Sequence, residues 1–406
     1  MRKLNKNSFV FLFAIVFVII GFFGNTLSKL SDYYITNYSE MNTGGLTGNV
    51  SAVWNAAHVN SDQKLNYYGN LVDINSIKEN IIGTRTVNKV VPLVKTDSGK
   101  LHRVENIKLT ESDVQWSTEQ IKNLQEIAEA SKAKFLYCGI PTKGYCESMP
   151  PNVSDYSKDN YDRFMKALDR QQIPYIDFYS EIINKGVKES ELFFNTDHHW
   201  RIYPSFLAYQ SLCEQLYLRY GFDYKREYAN VKNFSVNHYH KIFLGSWGQK
   251  LGTFFSWLGR DDFDLIIPRF DTFFVEEQPF ESEKRSGVFE TAILENYDGK
   301  LDMNGFNSSL YSIYGGNYRL QIIKNQLIKN GKKILMIRDS FAMTVGSFLA
   351  TQVEEIHLCD VRSNDVCVGE KINIKEYISQ IKPDIVIVLY SGAYSKENSV
   401  GYYDFF

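Results

Sequence analysis

Hydrophobic positions alternate between helical and strand-like spacing from residue 112 onward. Over 117–131 the apolar side chains recur at helical intervals, with Ile121, Leu124, Ile127 and Ala128 on one face, which predicts a helix. The pattern then predicts a strand over 134–141, a helix over 159–171, a strand over 173–178 and a helix over 203–220. Toward the C-terminus it predicts helices over 317–330, 341–351 and 371–381, with strands over 333–337, 355–359 and 384–389. Segments such as FLYC, ILMI and IVIVL are apolar without alternation. Such strands must be buried on both faces, as in a parallel sheet between two helical layers.

Two regions break this rhythm. Residues 28–110 are rich in Asn, Tyr, Ser and Gly and read as a linker and small β-containing lead-in. Residues 221–310 are rich in Phe, Gly, Asp and Trp and read as a β-rich insertion in the body of the chain, 111–406. Inserted segments of this kind often shape a substrate cleft. At the start, Arg2, Lys3 and Lys6 precede an uncharged apolar run. With its flanks, 8–27, the run is 20 residues long, close to the roughly 20 that span a hydrocarbon layer. No small-x-small cleavage site follows it. Residues 1–27 are therefore expected to be an uncleaved membrane anchor with the body outside the cytoplasm; a cleaved export signal is the alternative.

Charge narrows the partners. Lys plus Arg is 45 against 47 Asp plus Glu, a net charge of −2, so no basic surplus is available for nucleic acid. The 27 Tyr and 28 Phe exclude a disordered chain and serve either a core or a surface that stacks on sugar rings. The five cysteines, Cys138, Cys146, Cys213, Cys359 and Cys367, have no zinc-site spacing. Local disulfides and free buried thiols both remain open for them.

Two motifs carry candidate chemistry. Ser340 ends a predicted strand and precedes a predicted helix, at the C-terminal edge of the sheet where nucleophiles and ligands sit. There its hydroxyl lies beside N–H groups able to hold an oxyanion, or else Ser340 or Asp339 simply caps the helix. In Asn195-Thr196-Asp197-His198-His199-Trp200, an acid and a base two apart point the same way if the chain is extended. Asp197 is then placed to orient His199, leaving the other ring nitrogen for a nucleophile. Capping of the next helix by Asp197 is the plain alternative, and no metal is expected at this sparse ligand set. Gly315-Gly316-Asn317 serves either as part of an oxyanion hole or as a turn capping the next helix. Tyr311 and Tyr314 face either the cleft or the core. Gly245-Ser246-Trp247-Gly248 and Gly252-Thr253-Phe254-Phe255 suit a sugar-stacking wall or a β-turn with packed aromatics.

TDHHW, GGNY at 315–318, and ILMIRDSF followed by CDVR at 359–362 together resemble the DHHW family. That family is related to the alginate O-acetylation proteins, which carry an SGNH-hydrolase-like domain. The resemblance runs from about residue 112 to the C-terminus. It implies a three-layer α/β/α fold with a parallel sheet, with Asp-x-His-Trp ahead of Ser, a permuted order relative to ordinary SGNH esterases. It further implies Ser340 as nucleophile, His199 as general base, Asp197 as its orienter and Arg362 beside the substrate. Asn317, Gly316 and Tyr314 complete the expected oxyanion and substrate set. Arg338 departs from the pattern, because ordinary SGNH enzymes have Gly there. A long side chain at that position is expected to narrow the cleft.

The function so implied is an extracytoplasmic O-acetyltransferase acting on a cell-surface or secreted polysaccharide through a Ser acyl-enzyme, with no cofactor. Acetyl-CoA is cytoplasmic, so a membrane-bound O-acyltransferase is the implied donor partner. A polysaccharide acetylesterase with the same triad is the alternative, and a non-catalytic glycan-binding scaffold is a third reading.

Overall fold

The computed structural model describes residues 68–87, 92–302, 309–367, 369–397, 399 and 401–406. The expected anchor at 1–27 lies outside them, and among the described residues no helix is long and apolar enough to cross a membrane. The chain divides into two compact units, Met1–Ile74 and Asn75–Phe406, and the fold below is that of the second.

In chain order the strands are β1 (Thr86–Val87), β2 (Leu93–Lys95), β3 (Leu101–Arg103), β4 (Lys134–Ile140), β5 (Tyr175–Asp177), β6 (Phe234–Phe243), β7 (Asp261–Pro268), β8 (Phe274–Gln278), β9 (Glu283–Gly287), β10 (Leu320–Asn325), β11 (Lys333–Arg338), β12 (Glu355–Cys359) and β13 (Ile385–Ser391). The longer helices are α1 (Tyr68–Ile81), α2 (Glu111–Ala130), α3 (Ser157–Arg170), α4 (Phe178–Asn184), α5 (Ile202–Tyr220), α6 (Ser246–Leu251), α7 (Ala342–Leu349) and α8 (Ile374–Ile381). The main sheet has eight strands in the order β5-β4-β13-β11-β12-β10-β8-β9. Its first five strands run parallel.

The unbroken apolar strands are buried on both sides, and their alternate residues feed two cores. Leu136, Cys138, Met336, Ile385 and Ile387 point into one core with α5 and α7. Phe135, Tyr137, Leu335, Ile337, Val386 and Val388 point into the other with α2 and α3. This is the three-layer arrangement that such sequences require. α2 begins with a capping box, in which Thr110 accepts from the Asp113 N–H and Asp113 accepts from the Thr110 N–H.

The sheet is mixed rather than parallel throughout. β10, β8 and β9 each pair antiparallel. β10 lies inside 317–330, where the spacing predicts a helix. Leu320, Ile323 and Leu327 fit a helical face, but the segment is bonded on both edges, Ile322 opposite His357 on one side and Glu277 on the other. Two full ladders override a local helical spacing. Residues 221–310 are likewise more than an insertion. They supply the β6–β7 ribbon and also β8 and β9, which extend the main sheet. All five cysteines are free thiols.

Candidate active site

The C-terminal ends of the parallel strands open on a cleft of about 470 Å³. Ser340, His198, Trp247, Lys143, Glu105 and Arg362 are among its walls. Ser340 follows β11 through a turn built by Asp339. One Asp339 oxygen accepts the Phe341 N–H at 2.9 Å, and the other accepts the Ser391 N–H at 2.8 Å and the Ser391 hydroxyl at 2.7 Å. Asp339 is fully buried, so these bonds replace water that it has lost. Phe341, the residue that opens α7, offers no side-chain cap of its own, and Asp339 takes up its N–H from the turn before it.

His199 Nε2 lies 2.7 Å from Ser340 Oγ, and His199 Nδ1 lies 2.6 Å from Asp197 Oδ1. The three side chains are thus brought into one line, all nearly buried. The local geometry differs from an extended pair. Asp197 Oδ1 also accepts the His199 backbone N–H at 3.0 Å, which makes an Asx-turn, so one carboxylate oxygen fixes both the backbone and the ring. Tyr311 stacks on the far face of the His199 ring at 3.8 Å and 10°. Trp200 donates its indole N–H to the Phe341 carbonyl at 3.1 Å, tying the histidine turn to the serine turn.

Burial by itself raises the Asp197 pKa. The two neighbouring histidines and the N–H bonds from His199 and Ser246 outweigh it and hold the carboxyl well below the usual range. Asp197 therefore stays anionic. Its negative charge faces His199 Nδ1 at 2.6 Å. His198 turns its ring toward Trp247 and the cleft, with Nδ1 3.1 Å from the Ser246 hydroxyl. Burial and then the nearby His199 push its pKa down, so it stays neutral.

Residues far apart in the chain hold the histidine turn, and sequence spacing had not pointed to them. Buried Asp261, at the start of β7, accepts the Asn195 N–H at 2.6 Å and the Thr196 N–H and hydroxyl at 2.8 and 2.6 Å. Fully buried Lys143 offers its amine to the carbonyls of Leu101, Asn195 and Asp197. Burial pulls its pKa down to about 7. Gly245 is obligatory, because a Cβ there would stand 2.6 Å from Asp197 Cα and 2.7 Å from its backbone N. GSWG thus acts partly as a seat for Asp197, while its Trp247 does line the cleft. Phe254, 48% exposed, is not part of the cleft wall, and Phe255 is core.

The remaining expected residues divide. Arg362 lines the cleft, clamped by both oxygens of Asp360 at 2.9 and 2.6 Å. Asn317 is exposed and meets Arg362 Nη2 at 3.3 Å. Gly316 lies outside the cleft wall, and its carbonyl accepts from Arg338 at 2.8 Å. Tyr314 belongs to the core, where its hydroxyl bridges the N–H and carbonyl of Ile266. Arg338 does not narrow the cleft. It is 1% exposed and its guanidinium turns toward the carbonyls of Gly316 and Tyr318 and toward buried Asp360.

The fold and this line of side chains invite comparison with known proteins. Residues 101–237 match the family model of the SGNH hydrolase-like domain of the acetyltransferase AlgX. The matched part of the SGNH hydrolase-like domain holds Asp197 and His199 and ends before Ser340. A DHHW family protein from Eubacterium siraeum is similar in structure, with TM-score 0.55 at 17% identity, over 75% of this chain and 92% of that one. PatB1 from Bacillus cereus gives TM-score 0.59 at 16% identity, over 76% of this chain and 96% of that one. The same PatB1 with a sulfonyl adduct gives TM-score 0.59 at 17% identity, over 77% and 99%. At these identities the likeness is one of fold. No curated protein sequence matches. The resemblance read from TDHHW and the Ser340 segment therefore stands, on the family match and on the shared fold.

Proposed function

We propose that this protein is an extracytoplasmic O-acetyltransferase that places acetyl groups on hydroxyls of a cell-surface or secreted polysaccharide. The observation that carries this reading is the unbroken line from Asp197 through His199 to Ser340, with 2.6 and 2.7 Å at its two joints. The family match to an acetyltransferase domain supports acetyl transfer as the reaction class.

Ser340 Oγ attacks the acetyl carbonyl of the donor while His199 Nε2 takes the hydroxyl proton, and anionic Asp197 stabilises the imidazolium. Collapse of the adduct expels the donor's leaving group, which takes that proton and leaves an acetyl ester on Ser340. A sugar hydroxyl then gives its proton to His199 and attacks the ester. The bond to Ser340 breaks, and Ser340 recovers the proton. Arg362, held by Asp360, supplies a fixed cation at the cleft wall for a sugar hydroxyl or carboxylate. Residues 1–27 anchor the body at the outer membrane face, and a membrane-bound O-acyltransferase delivers the acetyl group.

The test is to incubate the purified full chain with a chromogenic acetyl ester, with and without oligosaccharide. One acetyl mass on the Ser340 peptide and acetylated sugar are expected. Ser340→Ala and His199→Ala should each lower turnover by roughly 10⁴-fold or more. Free acetate alone, even with sugar present, makes the protein an esterase. Unchanged turnover in Ser340→Ala overturns the reading.

A further inference from the structure

We propose a binding site for one transition-metal dication of the Zn²⁺ type on the β6–β7 ribbon, held by His238, His240 and Asp262 and oriented by Asp264. None of these residues lines the cleft. β6 and β7 pair antiparallel with His238 opposite Asp264. The register then slips between Tyr239 and Phe243, where Lys241 adopts φ +50°. This bulge brings His240 and His238 over the same carboxylate. Coordinating atoms of His238, His240 and Asp262 all lie within 4.8 Å of one another.

The hydrogen bonds leave a specific gap. His238 Nδ1 is 2.7 Å from Asp264 Oδ1, which orients the ring and turns Nε2 toward Asp262. That Nε2 faces Asp262 Oδ2 at 3.9 Å, beyond hydrogen-bond range. A carboxylate that holds one imidazole nitrogen while the other points at an open position is how proteins orient a metal-ligating histidine.

His240 completes the set, with Nδ1 3.0 Å from Asp262 Oδ1. To become a ligand it moves its proton from Nδ1 to Nε2. Its side chain is 76% exposed, so water meets the new N–H. Imidazole and carboxylate donors favour Zn²⁺ and its neighbours, with ligand bonds near ~2.0–2.2 Å, over Ca²⁺ or Mg²⁺. The rings need only turn inward by rotamer adjustment, which their exposure permits. The Lys241 amine points away, to the Leu258 carbonyl. Asp262 directly follows Asp261, the anchor of the histidine turn, so an ion here fixes the corner from which Asp261 holds Asn195 and Thr196.

The test uses Zn²⁺ alone, titrated calorimetrically into the metal-free full chain, with Co²⁺ absorption as a second probe. The wild type should bind one ion that the His238→Ala/His240→Ala double variant does not. Asp264→Asn should weaken binding by roughly 10- to 100-fold. Zn²⁺ should raise the thermal midpoint of the wild type and not that of the double variant, whose metal-free midpoint checks its folding. Equal binding by wild type and double variant overturns the site, and so does equal preference for Mg²⁺. Neither result bears on Ser340.

Discussion

The Ser340 turn and the Asp197–His199 turn each hang on one buried aspartate, yet they are built in opposite ways. Asp339 sits next to the serine it positions, and it is held by Phe341 in its own turn, by the Tyr402 hydroxyl and by Ser391 of β13, the strand beside β11 in the sheet. Asp261 is 65 residues from Thr196, and Lys143 and Gly245 come from two further segments. One turn inherits its geometry from sheet register. The other is assembled from side chains that meet only after the whole unit has folded. The serine side should therefore be robust and the histidine side sensitive to distant changes.

The largest effect that tests this contrast is Asp261→Asn. An amide cannot accept from all three donors, and its NH₂ faces one of them. Leaving buried donors unmet should cost about 4 kcal/mol, read by chemical denaturation. Turnover should fall with it, while Ser391→Ala, which removes one of several bonds to Asp339, should cost about 1 kcal/mol. If the two substitutions prove equal, the turns are not built differently.

Gly245→Ala should come next. The added Cβ meets backbone atoms of Asp197, which cannot swing aside as a flexible side chain can. Overpacking of this kind should cost about 3 kcal/mol. It should displace the Asp197 carboxylate and slow the reaction more than it weakens substrate binding, visible as a fall in kcat at nearly constant KM. A rise in KM alone would mean that Gly245 touches substrate rather than seating Asp197.

The same contrast explains what could be read in the chain. FLYC, ILMI and IVIVL announced a doubly covered sheet, and the strand-to-helix step at Ser340 announced its turn, because both are local patterns. β10 was misread, since Leu320, Ile323 and Leu327 satisfy a helical period equally well and only the ladders to β12 and β8 decide. Tyr314 and Gly316 were expected in the substrate set, but nothing local told which way they face. Asp261 carried no signal, because its role exists only across 65 residues. Residues 104–107, assigned to the lead-in, form part of the cleft wall.

Glu105, in that wall, offers the smallest test. Its Oε1 accepts from the Thr142 hydroxyl at 2.7 Å, at the end of β4. Burial pushes its pKa up to about 7 from an ordinary 4.5. The folded state thus holds a proton that the unfolded chain has already released. The stability contributed by that proton is full below about pH 4.5 and is lost as pH rises through about 7. Glu105→Gln keeps the neutral shape at every pH. It should be nearly neutral for stability at pH 5 and more stable than wild type by about 2 kcal/mol at pH 8. A difference independent of pH would mean that Glu105 is ionised throughout, and that the cleft between Ser340 and the β4 end is wetter than its walls suggest.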